Sequence, residues 1–172
     1  GQEAIRKDIE NLKAALGGLK VEEAFMPAVA PSGIGTNEYY GSDEEYLQAV
    51  GDALKTEYQA IVDAGFILQI DDPWLTEVHS QDPSMSLTER QKIAERTVEA
   101  LNHALRGIPV EKIRFHTCYG INEGPRVNDA SLKDIVDLIL RVNAGAYSFE
   151  AANPRHEHEY HVWETVKLPA GK

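Results

Sequence analysis

The sequence predicts an α/β protein with a parallel sheet, part of a (β/α)8 TIM barrel of which about four βα units are present. Three observations lead there. Short apolar segments begin near residues 24, 66, 113 and 146, and their spacing is that of βα repeats. Segments with three- and four-residue apolar periodicity lie between them. Polar residues gather where those strands end: Asp71 and Asp72, His116 and Cys118, and Glu150. Parallel α/β folds build their sites at the C-terminal ends of the strands. In an open doubly wound sheet only a switch point is so favoured, whereas three consecutive polar strand ends suit a barrel. Four units are half of one, so residues 1–172 are expected to form a single partial barrel domain.

The elements follow in order. Residues 3–16 carry Ile5, Ile9, Leu12 and Leu16 at helical spacing, and Gly17-Gly18 end the run. Ala24 to Ala30 is an apolar strand with a proline inside, and a long loop runs from Pro31 to Gly41. Ser42-x-x-Glu45 fits a capping box, and Leu47, Val50, Leu54, Tyr58, Ile61 and Val62 form the stripe of the helix it opens. Gly65 stops that helix. Phe66 to Ile70 is the near-continuous apolar pattern of a strand buried on both faces. A second capping box, Ser86-x-x-Glu89, opens a helix that ends at Gly107. Ile113 to Cys118 is the third strand. Ser131 opens a helix that Gly145 stops, and Ala146 to Glu150 is the fourth strand. A short helix near 155–163 closes the chain.

Composition excludes several classes. Hydrophobic content of 42% and charged content of 26% are ordinary for a globular chain of 172 residues. A net charge of −11 argues against nucleic acid and against anionic membrane surfaces as partners. No apolar run approaches a membrane span, and no apolar signal segment follows the first residues. One cysteine forms no internal disulfide, which points to the cytoplasm. There is no G-x-G-x-x-G, no Walker loop and no G-x-S-x-G elbow.

The chemistry concentrates on Ile113-Arg114-Phe115-His116-Thr117-Cys118-Tyr119-Gly120. A strand has period 2, so His116 and Cys118 share a face. An imidazole and a thiol there suit zinc; the alternative is a buried core cysteine beside a hydrogen-bonded histidine. Glu150 shares its strand face with Ala146 and Ser148, and a carboxylate on a buried inner face must be paired or ligate a metal. His116, Cys118 and Glu150 are therefore a candidate three-ligand set. Asp71 alternates with Gln69 and is expected to face inward, where it could hold a substrate ammonium. Asp72, before Pro73, either contacts substrate or caps the following turn. Arg114 shares the face of His116 and needs a partner, Asp71 or Gln69. Arg155 either contacts an anionic substrate or starts the last helix. His156-Glu157-His158-Glu159-Tyr160-His161 is a tempting metal motif, but its polarity suits a solvated helical face.

These motifs resemble the cobalamin-independent methionine synthases. Gln69-Ile70-Asp71-Asp72-Pro73 resembles their Q-I-D-E-P segment, and His116-Thr117-Cys118-Tyr119 resembles their H-x-C-Y zinc motif. Ser148-Phe149-Glu150 is similar to the strand that supplies their glutamate ligand, and Phe25-Met26-Pro27 to a preceding strand. The resemblance spans about residues 20–165 in order. It implies a barrel, of which this chain would be an internal piece without the first and last strands, that holds zinc through His116, Cys118, Glu150 and a later cysteine this chain lacks. It implies methyl or alkyl transfer from a folate-type donor to homocysteine or a related thiol, with His116, Cys118 and Asp71 catalytic. Asp71 would take the substrate amino group, with Asp72 and Arg155 beside it. Asp72 stands where the family usually has glutamate, and Ile121 to Asn128 is more like shorter relatives of unassigned substrate.

Two other readings compete. A metal-free decarboxylase-like barrel of the same superfamily would use arginines to bind carboxylates, and Arg114, Arg126 and Arg155 are the only ones near strand ends. A partial barrel could also self-associate through its open edges without catalysis.

Overall fold

The computed structural model describes residues 1–77, 84–120, 127–150 and 152–172. The chain forms one sheet of four parallel strands in the order β1 (Phe25–Val29), β2 (Ile67–Asp71), β3 (Ile113–Thr117) and β4 (Ala146–Phe149). Helices connect consecutive strands, as βα units require. They are α1 (Gln2–Leu16), which precedes the sheet, α2 (Asp43–Asp63), α3 (Trp74–Glu77), α4 (Leu87–Ala104) and α5 (Leu132–Ile139). The expected α/β class with a parallel sheet is present, and its four strands in sequence order are compatible with part of a barrel.

Strand alternation separates two faces. Met26 and Ala28, Leu68 and Ile70, and Ile113, Phe115 and Thr117 are buried against the helices. Tyr58 and Ile61 of α2, Val98 and Leu101 of α4, and Ile135, Val136 and Ile139 of α5 complete this core. Full burial of each large side chain contributes about 1.5–3 kcal/mol. The opposite face is part-exposed and carries both polar and apolar side chains. The parallel register sets it out in rows: Pro27, Gln69, Arg114 and Ala146 in one, and Val29, Asp71, His116 and Ser148 in the next.

The helix ends follow their residue chemistry. Ser86 and Glu89 form both halves of a capping box at α4. Ser42 Oγ accepts the Glu45 N–H at the start of α2. Gly65 follows α2 with φ of 94°, a conformation glycine adopts at no steric cost. Ser131 makes no side-chain cap; the Leu132 N–H donates instead to Glu159 Oε1 at 2.8 Å, so a residue distant in sequence caps α5. The last helix differs from expectation: it is a 3-10 helix over Glu157–Glu164. Strand limits shift by one residue, which brings Asp71 into β2. No helix among the described residues is long and apolar enough to cross a membrane.

Candidate functional site

The half-exposed face and the strand ends above it carry the chemistry. Arg114 Nε donates to Gln69 Oε1 at 2.7 Å, and its guanidinium lies 3.8 Å from the centre of the Phe25 ring. Gln69 Nε2 in turn donates to Asp71 Oδ1 at 2.8 Å. The expected partner of Arg114 is therefore Gln69, an amide that hands the field of the cation on to Asp71. Asp71 Oδ2 has no hydrogen bond among the described residues, so one carboxylate oxygen is available to a ligand. An open cleft of about 390 Å³ adjoins it, lined by Pro27, Ala28, Val29, Asp71, Pro73 and Trp74. Trp74 also lines a cavity of about 720 Å³ that reaches Tyr46 of α2 and Arg96 of α4.

His116 stands beside Asp71 in register, one strand over. Its Nδ1 lies 3.4 Å from Ser148 Oγ, at the limit of a hydrogen bond. Cys118 continues the alternation past the end of β3 and is half-buried. Burial pushes its thiol above the ordinary cysteine range; the Gly120 N–H opposes this, and Glu150, Asp71 and Glu77 add to it through their negative charge. Unaided, this thiol is a poor nucleophile at neutral pH.

Glu150 lies just past β4. Its Oε2 accepts the Tyr119 N–H at 3.0 Å and its Oε1 accepts from Asn153 Nδ2 at 2.6 Å. It also lines a small cavity with Thr76, Thr117 and Tyr119, so its carboxylate rests against the end of β3. His116, Cys118 and Glu150 thus come to one end of two adjacent strands. Among the described residues, however, no three His, Cys, Asp or Glu side chains converge closely enough to hold a metal ion. The donor set nonetheless fits zinc by type: an imidazole, a thiol and a carboxylate, with the carboxylate charge felt at the thiol.

Asp72 has a different surrounding. It is buried with 2% exposure, away from the open face. Its Oδ1 accepts from Ser32 Oγ at 2.8 Å and from the Leu75 N–H at 3.1 Å, which caps the short α3. Burial raises its carboxyl from 3.8 to about 6, against the pull of those hydrogen bonds. This is the capping alternative read from Asp-Pro, and Asp72 is not among the residues that line the Asp71 cleft. Arg155 is half-buried, and its N–H donates to Asn153 Oδ1 at 2.9 Å. Arg126 lies outside the described residues.

The histidine-rich segment is exposed at Glu157, His158, Tyr160 and His161, as expected of a solvated face, and departs from it at His156. His161 is exposed, but His156 is buried at 7%. Its ring stacks on Tyr119 with centroids 3.6 Å apart and planes 4° from parallel. Its Nδ1 lies 2.9 Å from Glu159 Oε2, and its Nε2 lies 3.2 Å from Asp129 Oδ2. Sequence reasoning put the Asn153 segment beside Glu150 but missed the bonds that Asn153 and Tyr119 make to its carboxylate and the stacking of His156 on Tyr119. The signal available was Asn153-Pro154 directly after a strand-end glutamate, a turn signature that says nothing of which side chain the turn will meet.

Comparison with family models, with curated proteins and with solved structures found no match to this chain.

Proposed function

We propose that this chain carries the metal-binding half of a (β/α)8 barrel that activates a thiol for alkylation, in the manner of a cobalamin-independent methionine synthase. The observation that supports this reading most is the grouping of His116, Cys118 and Glu150 at one end of β3 and β4, beside Asp71 at the end of β2. His116, Cys118 and Glu150 would hold zinc, with a further ligand from substrate or from another strand. When bound, zinc would supply a Lewis acid that stabilises a thiolate at neutral pH.

The protein's own groups divide the remaining work. Asp71 presents Oδ2 to a substrate ammonium, while Gln69 holds Oδ1 and sets the carboxylate plane. Trp74, Pro27 and Val29 give the adjoining cleft an apolar wall that suits the hydrocarbon part of an amino-acid thiol. Partial burial of Cys118 and the Glu150 charge beside it disfavour the free thiolate, so the thiol end of the site depends on the metal for its activation. Asp72 shapes the cleft indirectly, by seating the loop at Ser32 and the start of α3.

Zinc titration with competition by a chromophoric chelator tests the assignment. The expected result is one zinc per chain in the wild type and loss of the site in Cys118→Ser. Undiminished zinc uptake by that variant sinks the ligand set. A separate proposal concerns assembly: β1 and β4 leave edges that a second copy could pair with, and a concentration-independent monomer in sedimentation would dismiss it.

A further inference from the structure

The Glu150 carboxylate is gripped from two sides, and the two grips are joined to each other. One arm is the Tyr119 N–H, 3.0 Å from Oε2. The other is the Asn153 side-chain amide, 2.6 Å from Oε1. The orientation of that amide is not arbitrary. Asn153 Oδ1 accepts both the Arg155 N–H, at 2.9 Å, and the His156 N–H, at 3.0 Å. Two donors on that side require the oxygen there, so the NH2 group has to face Glu150. The arms meet through the stack of the His156 ring on the Tyr119 ring. His156 is set in turn between Asp129 and Glu159, whose side chains are only 7% and 10% exposed. The contacts close a circuit: Glu150, the Tyr119 backbone, the Tyr119 ring, the His156 ring, the His156 N–H, Asn153, and back to Glu150.

We infer that Asn153 is a positioning residue that aims the Glu150 carboxylate at the Cys118 end of β3, and that His156 locks Asn153 in place through the Tyr119 stack. A free glutamate side chain just past a strand end has three rotatable bonds and would sample open solvent. Here both oxygens are pinned while each keeps a second lone pair for a ligand. Partners of this kind orient a ligating carboxylate, and their loss typically weakens metal affinity 10–100-fold. The metal consequence rests on the proposed function; the positioning itself does not.

The test uses Asn153→Asp. Aspartate keeps an oxygen for the Arg155 and His156 N–H groups but loses the donor to Glu150 and adds a like charge beside it. Amide hydrogen exchange by NMR then separates two roles. The expected result is exchange at the Tyr119 amide faster by about tenfold or more, with Arg155 and His156 still protected, and zinc affinity lower by about 10–100-fold. Asn153→Ser is the neutral second variant, since a serine hydroxyl caps such a turn but falls short of Glu150; it should give the same pattern. Unchanged Tyr119 exchange overturns the inference, as does joint loss of protection at all three amides, which would make Asn153 a turn cap alone. Faster Tyr119 exchange with undiminished zinc affinity would overturn the link to the metal. Absence of zinc binding in the wild type would remove the proposed function, while the exchange pattern would still decide the role of Asn153.

Discussion

Asp72 and Cys118 show how burial changes what a reactive group can do. For Asp72 the folded chain holds its proton up to about pH 6, whereas the unfolded chain releases it near 3.8. Between those values the native state binds more protons, so stability falls as pH rises through the window and the charged form carries a cost above it. The difference corresponds to about 3 kcal/mol at most. Asp72→Asn keeps an acceptor for Ser32 and Leu75 without the charge. Wild-type stability relative to this variant should therefore increase as pH is lowered from about 7 to about 4.5, read from urea midpoints; a constant difference would contradict the buried charge. Cys118 makes the complementary case. Burial raises its thiol, and the Glu150 charge adds to the effect. Metal-free protein should react with iodoacetamide at neutral pH more slowly than a free cysteine does, and Glu150→Gln should speed the reaction. Mass spectrometry reads this directly because the chain has a single cysteine.

At the scale of elements, the helix starts and the loop packing depend on different kinds of information. The capping box at Ser86 and Glu89 is written in four adjacent residues and forms as written. Ser86→Ala should cost about 1 kcal/mol, measured by chemical denaturation, because the Glu89 N–H loses its acceptor. Gly145 carries a constraint that no local pattern announces. A Cβ built there would lie 2.5 Å from the Val110 carbonyl oxygen and 3.0 Å from the Glu111 Cα. Both are backbone atoms and cannot swing away. The Gly145 N–H also donates to the Ile113 carbonyl, which ties the entry of β4 to the start of β3. Gly145→Ala should therefore destabilise the fold by about 1–3 kcal/mol. It should also disturb the pairing of β3 with β4, seen as loss of amide protection in both strands.

For the molecule as a whole, the candidate site joins three strands through side chains rather than through a deep cavity. Asp71 comes from β2, His116 from β3, Cys118 from just past β3, and Glu150 from just past β4. A ligand held by the last three would link the ends of β3 and β4 and stabilise the native state by mass action. At a hundredfold excess over its dissociation constant, zinc should add about 2.7 kcal/mol of stability. The expected outcome is a rise in the thermal midpoint with zinc that Cys118→Ser abolishes; an equal rise in the variant would place the metal elsewhere.

The strands, the four longer helices and their order were legible from residue patterns, because periodicity, caps and stop signals act over a few adjacent positions; the short α3 was not. The same patterns placed Asp71, His116 and Cys118 at the polar strand ends, since alternation along a strand carries side-chain direction with it. Tertiary packing decided what each group meets. It gave Arg114 to Gln69, turned Asp72 into a buried cap, and sank His156 against Tyr119 instead of leaving it in solvent. The Arg114–Gln69 and Ser32–Asp72 bonds join residues 45 and 40 positions apart, and their formation depends on how whole elements stack on the sheet. Local patterns settle which residues stand at the strand ends and bring Asn153 within three residues of Glu150; the hold of Tyr119 on Glu150 belongs to the tertiary structure, because it exists only once β3 and β4 lie side by side.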